Sequence, residues 1–233
     1  MNYAIVLSGG VGTRLGANLP KQYLEINGRT LLSYCLEAFE KHSKIDRIVV
    51  VASKEYHSLV LEEVEKYGVK KFFCITFAGD SRQHSILNGL NAIKENVNEI
   101  SDKDIVLVHD GVRPNITQEL ITRCLDFDGY EGSIPVIKPK DTIYFSEDAK
   151  EIGGLLERSK LFLGQSPEAF LLTKYLSCHE GVSNEELLLS TGSSQLAYKK
   201  GMKIKLVDGD DENFKITTME DLEKFRTEKF GAR

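Results

Sequence analysis

The chain has 233 residues, of which 41% are hydrophobic and 28% charged, and its formal net charge is −5. This composition is typical of one globular domain, and the negative charge argues against a nucleic-acid or membrane-surface protein, since such proteins need basic patches. No stretch approaches the ~18 apolar residues of a membrane span, and the N-terminal apolar run is too short for a signal peptide. We therefore expect a cytoplasmic protein that binds neither nucleic acid nor membrane.

Apolar runs alternate with amphipathic helical stretches through the first half. The pattern predicts strands at Tyr3–Leu7, Arg47–Ala52, Phe72–Phe77 and Asp104–Val108, and helices at Thr30–His42, Ser58–Tyr67 and Ser85–Asn96. Continuous apolar strands separated by helices indicate an α/β fold with a parallel sheet that is covered on both faces.

The second half is less regular. Strands are predicted at Gly132–Ile137 and Lys203–Val207, and a terminal helix at Thr218–Arg226, where Thr218 and Asp221 have the spacing of a helix cap. The mixed polar stretch Asp141–Glu157 is interpreted as a hairpin or arm that leaves the main sheet. The simplest organisation is a single domain over 1–233 with an inserted arm at roughly 138–160.

The four cysteines are scattered, and no pair has CxxC spacing. This arrangement favours reduced structural thiols over metal ligands or catalytic groups. They are Cys35, Cys74, Cys124 and Cys178.

A glycine-rich segment, SGGVGTRLGANLPK, follows the first strand. Ligands bind at the carboxyl ends of parallel strands, so its position is that of a phosphate-binding loop. Its glycine spacing is one residue longer than a dinucleotide fingerprint, and it lacks the GK[ST] of a Walker A loop. A strand–helix turn without a ligand remains an alternative. Arg14 and Lys21 favour a triphosphate, because a guanidinium and an ammonium beside free backbone N–H groups bind polyphosphates.

This segment resembles the loop of sugar-phosphate nucleotidyltransferases, G-x-G-x-R followed by P-K-Q, and its PKQ ending is similar to the alditol-phosphate cytidylyltransferases. Five further segments resemble motifs of that family in the same order along the chain. They are GDSRQHS at 79–85, HDGVRP at 109–114, DT at 141–142, QSP at 165–167 and NFKIT at 213–217.

The resemblance implies a Rossmann-like nucleotidyltransferase fold with a mixed, mostly parallel sheet and a protruding dimerisation arm. It implies transfer of CMP from CTP to an alditol phosphate, Mg²⁺ as cofactor held by Asp110, and a homodimer with shared active sites. The implied catalytic residues are Arg14, Lys21 and Lys215; the nucleotide-binding residues are Leu7, Ser8, Gly9, Gly10, Gly12, Gly79, Asp80, Ser85 and Asp110; and the acceptor-binding residues are Thr142, Arg158, Ser166 and Lys215. Arg82 and Arg113 are interpreted as residues that order loops, and His109 as structural.

The family has two close branches, which act on ribitol 5-phosphate and on 2-C-methyl-D-erythritol 4-phosphate. The LSGG, HDGVRP and FLGQSP segments are more similar to the ribitol branch, so D-ribitol 5-phosphate and the product CDP-ribitol are the main prediction. Methylerythritol phosphate is the alternative acceptor. Thr191–Ser194 replaces an acidic segment of the family, T-D-[ADE], which suggests a changed acceptor pocket and leaves another polyol phosphate as a further alternative acceptor. The competing classes are a sugar-1-phosphate nucleotidyltransferase that uses UTP or another NTP, and a non-catalytic nucleotide-binding regulator.

Overall fold

The structure is a computed structural model that describes residues 1–10 and 19–231. Its strands are β1 Asn2–Ser8, β2 Glu25–Ile26, β3 Arg29–Thr30, β4 Arg47–Ala52, β5 Phe72–Phe77, β6 Ile105–Asp110, β7 Gly132–Ile137, β8 Tyr144–Phe145, β9 Gly154–Leu155, β10 Leu163–Gly164, β11 Glu168–Leu171 and β12 Ile204–Asp208. Its helices are α1 Leu31–Lys41, α2 His57–Lys66, α3 Arg82–Asn96, α4 Gln118–Leu125, α5 Leu172–His179, α6 Asn184–Leu189, α7 Ser193–Lys199 and α8 Met219–Phe230.

The main sheet is mixed and mostly parallel, which confirms the predicted fold class. Its central strand β1 pairs in parallel with β4 and β6, and β5 extends the sheet beyond β4. On the other side β11 runs antiparallel between β6 and β7, while β12 pairs in parallel with β7. The carboxyl ends of β1, β5 and β6 therefore lie at one edge of the sheet, next to the chain that enters β11.

Helices cover both faces of the sheet because its central strands are apolar on both sides. Ala4 and Val6 pack into a core under α1, α2 and α4, whereas Tyr3 and Ile5 pack into a core under α3, α5 and α7. A smaller cluster holds α8 against α1 through Phe225. The sheet is thus packed on both faces beneath its carboxyl edge.

The terminal helix begins where the sequence predicts. Thr218 Oγ1 accepts a hydrogen bond from Asp221 N–H, and the Asp221 carboxylate accepts one from Thr218 N–H, which forms a capping box. Arg47–Ala52, Phe72–Phe77 and Gly132–Ile137 are strands with the predicted bounds, while α3 begins three residues earlier than predicted.

The chain between β7 and β10 forms a separate two-stranded antiparallel pair, β8 with β9, that is not hydrogen-bonded to the main sheet. Several large apolar side chains of this segment are exposed, including Leu155, Ile152 and Tyr144. The sequence predicts a dimerisation arm at 138–160, and that assignment stays a prediction.

The four cysteines are free thiols, of which Cys35, Cys124 and Cys178 are buried and Cys74 is half-buried. Burial raises the pKa of Cys35 and of Cys124 to about 12, so both thiols are protonated and unreactive at neutral pH. None of the helices in the described part of the chain has both the length and the hydropathy that crossing a membrane requires.

Candidate active site

A cleft of about 760 Å³ opens at the carboxyl edge of the sheet. Its walls come from the turn after β1, the loop between β5 and α3, the end of β6 and the segment before α8. The described residues that border it include the predicted site residues Leu7, Gly9, Gly10, Lys21, Gly79, Asp80, Ser85, Asp110 and Lys215. The fold therefore brings together residues that are more than 200 positions apart in sequence.

The turn after β1 is held close to the neighbouring loop. A Cβ atom on Gly9 would lie 2.2 Å from the Cβ of Ala78, so this approach requires glycine. Gln22 Nε2 donates to the carbonyl oxygens of Ser8 and Gly10 at 2.7 and 2.9 Å, which orients this stretch of backbone. Ser8 itself is buried and donates its hydroxyl hydrogen to Tyr23, so its side chain faces away from the cleft. The predicted residues Gly12 and Arg14 lie outside the described residues.

Lys21 links the segment after β1 to the segment before α8 at the cleft. Its side chain is buried at 9% exposure, and Nζ donates to the carbonyl oxygen of Thr217 at 2.7 Å. Because Thr217 closes the NFKIT segment, this contact places the PKQ and NFKIT motifs on the same wall. An ammonium group in this position adds positive charge to a partly desolvated pocket.

The loop between β5 and α3 is built around Gly79 and Ser85. Gly79 N–H donates to Ser85 Oγ at 3.0 Å, and a Cβ atom on Gly79 would lie 2.3 Å from the Cβ of His84. Ser81 caps α3 by accepting a hydrogen bond from His84 N–H. Asp80 lies exposed at the mouth of the cleft. Gly79 and Ser85 thus shape the loop and border the cleft, and their role in nucleotide binding stays a prediction.

Asp110, the last residue of β6, is the electrostatic centre of the site. Its Oδ1 lies 3.1 Å from Arg82 Nη2, and its Oδ2 lies 3.1 Å from Lys215 Nζ and 3.5 Å from Arg113 Nε. Burial alone would raise the pKa of this carboxyl, but the surrounding cations outweigh burial and hold the pKa well below its usual range. Asp110 is therefore ionised at neutral pH. The Lys215 side chain is 43% exposed and presents its charge to the cleft.

Ser166 lies beneath Asp110 at 2% exposure and does not border the cleft. Burial lowers the pKa of the adjacent His109 to about 4, so its ring is neutral. His109 Nε2 faces the Arg113 carbonyl oxygen and must donate to it, which leaves Nδ1 as the acceptor for the Ser166 hydroxyl at 3.2 Å. Ser166 Oγ in turn accepts from Asp110 N–H at 3.1 Å. The Ser166 hydroxyl hydrogen therefore bonds to His109 within the fold. Binding an acceptor phosphate would require the same hydrogen.

The structure does not bring Thr142 and Arg158 to the cleft of their own chain. Both are exposed on the segment around β8 and β9, and Arg158 Nη1 donates to the carbonyl oxygen of Lys140 at 3.0 Å. Their predicted acceptor role therefore depends on a surface outside the single chain.

The described part of the site also contains residues that were not among the sequence-based candidates, including Gln22, Glu168 and Ser193. Gln22 belongs to the PKQ motif, so the motif itself was a signal for it. Ser193 belongs to the 191–194 segment that departs from the family pattern, whereas Glu168 had no such signal. Arg82 Nη1 lies 2.5 Å from Ser193 Oγ, and Arg82 Nη2 lies 3.6 Å from Glu168 Oε1. Arg82 and Arg113, interpreted from sequence as loop-ordering residues, contact the Asp110 carboxylate directly.

Asp110 can contribute one carboxylate to a divalent cation in the cleft. Within residues 1–10 and 19–231, no three His, Cys, Asp or Glu side chains form a group that could hold a metal ion. Mg²⁺ at nucleotide sites takes one or two carboxylates together with phosphate oxygens and water, so a single carboxylate fits that mode of binding.

The chain is similar to known proteins along nearly its whole length. A family model described as "IspD: 2-C-methyl-D-erythritol 4-phosphate cytidylyltransferase" matches residues 2–227. A 2-C-methyl-D-erythritol 4-phosphate cytidylyltransferase of Clostridium acetobutylicum is 34% identical over 224 residues, covering 95% of this chain and 94% of the relative. A ribitol-5-phosphate cytidylyltransferase of Streptococcus agalactiae is 29% identical over 228 residues, with 97% and 94% covered. The crystal structure of 4-diphosphocytidyl-2C-methyl-D-erythritol synthase from Anaerococcus prevotii superposes with a TM-score of 0.81 at 27% identity, covering 99% of this chain and 96% of that one.

Proposed function

Because the chain belongs to the IspD family of cytidylyltransferases, we propose that it transfers CMP from CTP to D-ribitol 5-phosphate, forming CDP-ribitol and releasing pyrophosphate. The observation that carries the transfer chemistry is that Lys21, Lys215 and Asp110 meet at one cleft beside Gly9 and Gly10. The two ammonium groups and the glycine backbone can bind phosphate oxygens, and the ionised carboxylate can hold a divalent cation, which are the groups that a reaction between two phosphates needs.

In this reaction an oxygen of the acceptor phosphate attacks the α-phosphorus of CTP. A new P–O bond forms there, and the bond to the β-phosphate breaks as pyrophosphate leaves. Charge develops on the oxygens around the α-phosphorus and on the leaving group, so fixed cations accelerate the step more than they strengthen ground-state binding. We assign Lys21 and Lys215 to these oxygens, and the backbone at Gly9 and Gly10 to the triphosphate.

We assign Mg²⁺ to the triphosphate of CTP, with Asp110 as its protein ligand. When bound, the ion would neutralise phosphate charge and orient the leaving group. Asp110 also orients Lys215 and Arg82 through its two oxygens, so it serves the cations of the cleft as well as the metal.

The choice of ribitol phosphate is supported by the QSP segment. Gln165 is buried; its Nε2 donates to the Asp210 carbonyl oxygen at 2.7 Å, and its Oε1 accepts from Asp210 N–H at 3.0 Å. A leucine at this position, as in the methylerythritol branch, cannot make either bond. Asn213 next to this loop donates to the Ser166 carbonyl oxygen at 2.7 Å, so three hydrogen bonds join the QSP segment to residues 210–213, which precede Lys215.

Methylerythritol 4-phosphate is the second candidate acceptor. It is favoured by overall identity, since the relatives of that name reach 35% where the ribitol relative has 29%. Both candidates share the nucleotide half of the reaction and differ in the polyol that carries the phosphate.

An acceptor panel tests the proposal. With CTP and Mg²⁺, we expect pyrophosphate release with D-ribitol 5-phosphate at a kcat/KM at least about tenfold above that with methylerythritol 4-phosphate, since specificity is a ratio of these constants. UTP with sugar 1-phosphates serves as the matched control for the competing enzyme class. A reversed ratio assigns the chain to the alternative acceptor. Turnover with UTP and a sugar 1-phosphate, without turnover with CTP, contradicts the cytidylyl assignment.

We further propose that the active enzyme is a homodimer in which the arm at 138–160 reaches the site of the other subunit. Leu155 is 82% exposed, and Ile152 and Tyr144 are more than half exposed, an apolar surface of the kind that proteins cover by association. Exposed Thr142 and Arg158 would then complete an acceptor site that one chain leaves without them.

Subunit complementation tests this arrangement. Lys21→Met and Arg158→Ala should each lower activity strongly, because each removes a cation from every site of a homodimer. Mixing the two variants after subunit exchange should restore about a quarter of the wild-type activity, since mixed dimers hold one intact site if sites are shared. Failure of the mixture to regain activity, or an active monomer by sedimentation, rejects the shared site.

A further inference from the structure

Arg82 borders the cleft, and its guanidinium is held at several points. Its Nε and Nη2 donate to Asp110 Oδ1 at 3.3 and 3.1 Å, and its Nη1 donates to Ser193 Oγ at 2.5 Å. The same Nη2 also lies 3.6 Å from Glu168 Oε1. The guanidinium therefore bridges two carboxylates, one at the end of β6 and one at the start of β11.

Glu168 is buried at 5% exposure and is fixed from its other oxygen. Its Oε2 accepts a hydrogen bond from Ser194 N–H at 2.8 Å. The carboxylate consequently joins Arg82 to the 191–194 segment. That is the segment in which Gly192 and Ser193 stand where the resembled family carries acidic residues.

The Asp110 and Glu168 carboxylates together neutralise the cations around them. Arg82 interacts with both, which leaves Asp110 Oδ2 for Lys215 and Arg113. Without the charge of Glu168, the Arg82 guanidinium would depend on Asp110 alone and would draw that carboxylate away from Lys215, the cation on the cleft surface. The cleft would also become more positive by one charge.

We infer that Glu168 is a positioning residue for cytidylyl transfer, which supplies from β11 the carboxylate that the 191–194 segment lacks and acts on the reaction through Arg82 and Asp110. The effect of Glu168 on kcat rests on the proposed function, because it is measured with the proposed acceptor. The effect of Glu168 on CTP binding is measured without an acceptor.

Glu168→Gln keeps the shape and the contact with Ser194 N–H but removes the charge. We expect kcat to fall about tenfold, as neighbouring groups of one ion network are coupled, while KM for CTP does not rise, because the cleft has gained net positive charge. A change confined to folding would not divide kcat from KM in this way. The matched control is Glu185→Gln, on an exposed glutamate of α6, which should leave both constants unaltered.

Rescue by a carboxylate on the other side of Arg82 is the more specific test. Adding Ser193→Asp to Glu168→Gln should raise kcat at least about threefold above that of Glu168→Gln alone, a gain within the usual range of coupling between neighbours. Ser193 Oγ already lies 2.5 Å from Arg82 Nη1, so a carboxylate at position 193 contacts the same guanidinium. Unchanged kcat in Glu168→Gln, or no rescue in a double variant with wild-type thermal stability, overturns the inference. If Glu168→Gln fails to fold, Ser193→Ala replaces it, with a smaller loss of kcat expected and an unchanged kcat overturning the inference.

The CTP dissociation constant provides a measurement without any acceptor. Titration calorimetry of Glu168→Gln, Asp110→Asn and the double variant should show a non-additive cycle, since both residues act through Arg82. Additive effects contradict the inference. A coupled cycle in an enzyme that uses no alditol phosphate on the panel leaves the inference standing and rejects the proposed acceptor.

Discussion

Replacing Asp110 with asparagine is expected to lower kcat about a thousandfold, the upper range for removal of one preorganised electrostatic group. The amide keeps the size of the side chain but removes the charge that Arg82, Arg113 and Lys215 share. Lys215 then loses its anchor 3.1 Å away, and the proposed Mg²⁺ loses its protein ligand. Steady-state kinetics over a range of Mg²⁺ concentrations measure the effect, and excess Mg²⁺ should recover little of it.

The control for this variant is Asp102→Asn, which alters an exposed carboxylate just before β6. Thermal unfolding of both variants separates a catalytic loss from a folding defect, because loss of one partner of a buried ion network also destabilises a protein. A kcat within tenfold of wild type for Asp110→Asn would show that the carboxylate is dispensable for transfer.

Lys21→Met is expected to lower kcat about a hundredfold while the CTP dissociation constant changes by much less, because a cation aimed at developing charge acts mainly in the transition state. Methionine retains the buried part of the side chain and removes the ammonium that bonds to the Thr217 carbonyl oxygen. Rapid-quench measurement of pyrophosphate formation, together with CTP calorimetry, separates the two quantities.

Lys94→Met serves as the matched control, since Lys94 is exposed in the last turn of α3. If Lys21→Met instead weakened CTP binding by the full factor and left kcat intact, Lys21 would be a ground-state phosphate ligand. The transition-state role proposed here would then be wrong.

The repeated strand–helix alternation of the first half was predictable because it follows from local hydrophobic periodicity. Arg47–Ala52 and Phe72–Phe77 are apolar runs of strand length, and their structure depends little on the rest of the chain. By contrast, α5 follows β11 without an intervening turn residue, and the continuous run EAFLLTKYL carries no signal for where the strand ends and the helix begins. The short helices α4, α6 and α7 likewise went unpredicted, since six to eight residues hold too few periods to stand out.

The sequence by itself determined the fold class and the family resemblance, because these depend on local hydrophobic periodicity and on short motifs. It also pointed to most of the described residues that border the cleft, and their nucleotide-binding role stays a prediction. Only the tertiary structure decided which of these side chains face the cleft. Ser8 and Ser166 turn their hydroxyls into the fold, Thr142 and Arg158 stay away from the cleft of their own chain, and Glu168 reaches Arg82 from a different strand. The physical reason is that a side chain's hydrogen bonds and ion pairs are set by strands and loops that meet from distant parts of the chain, and no local pattern records those meetings.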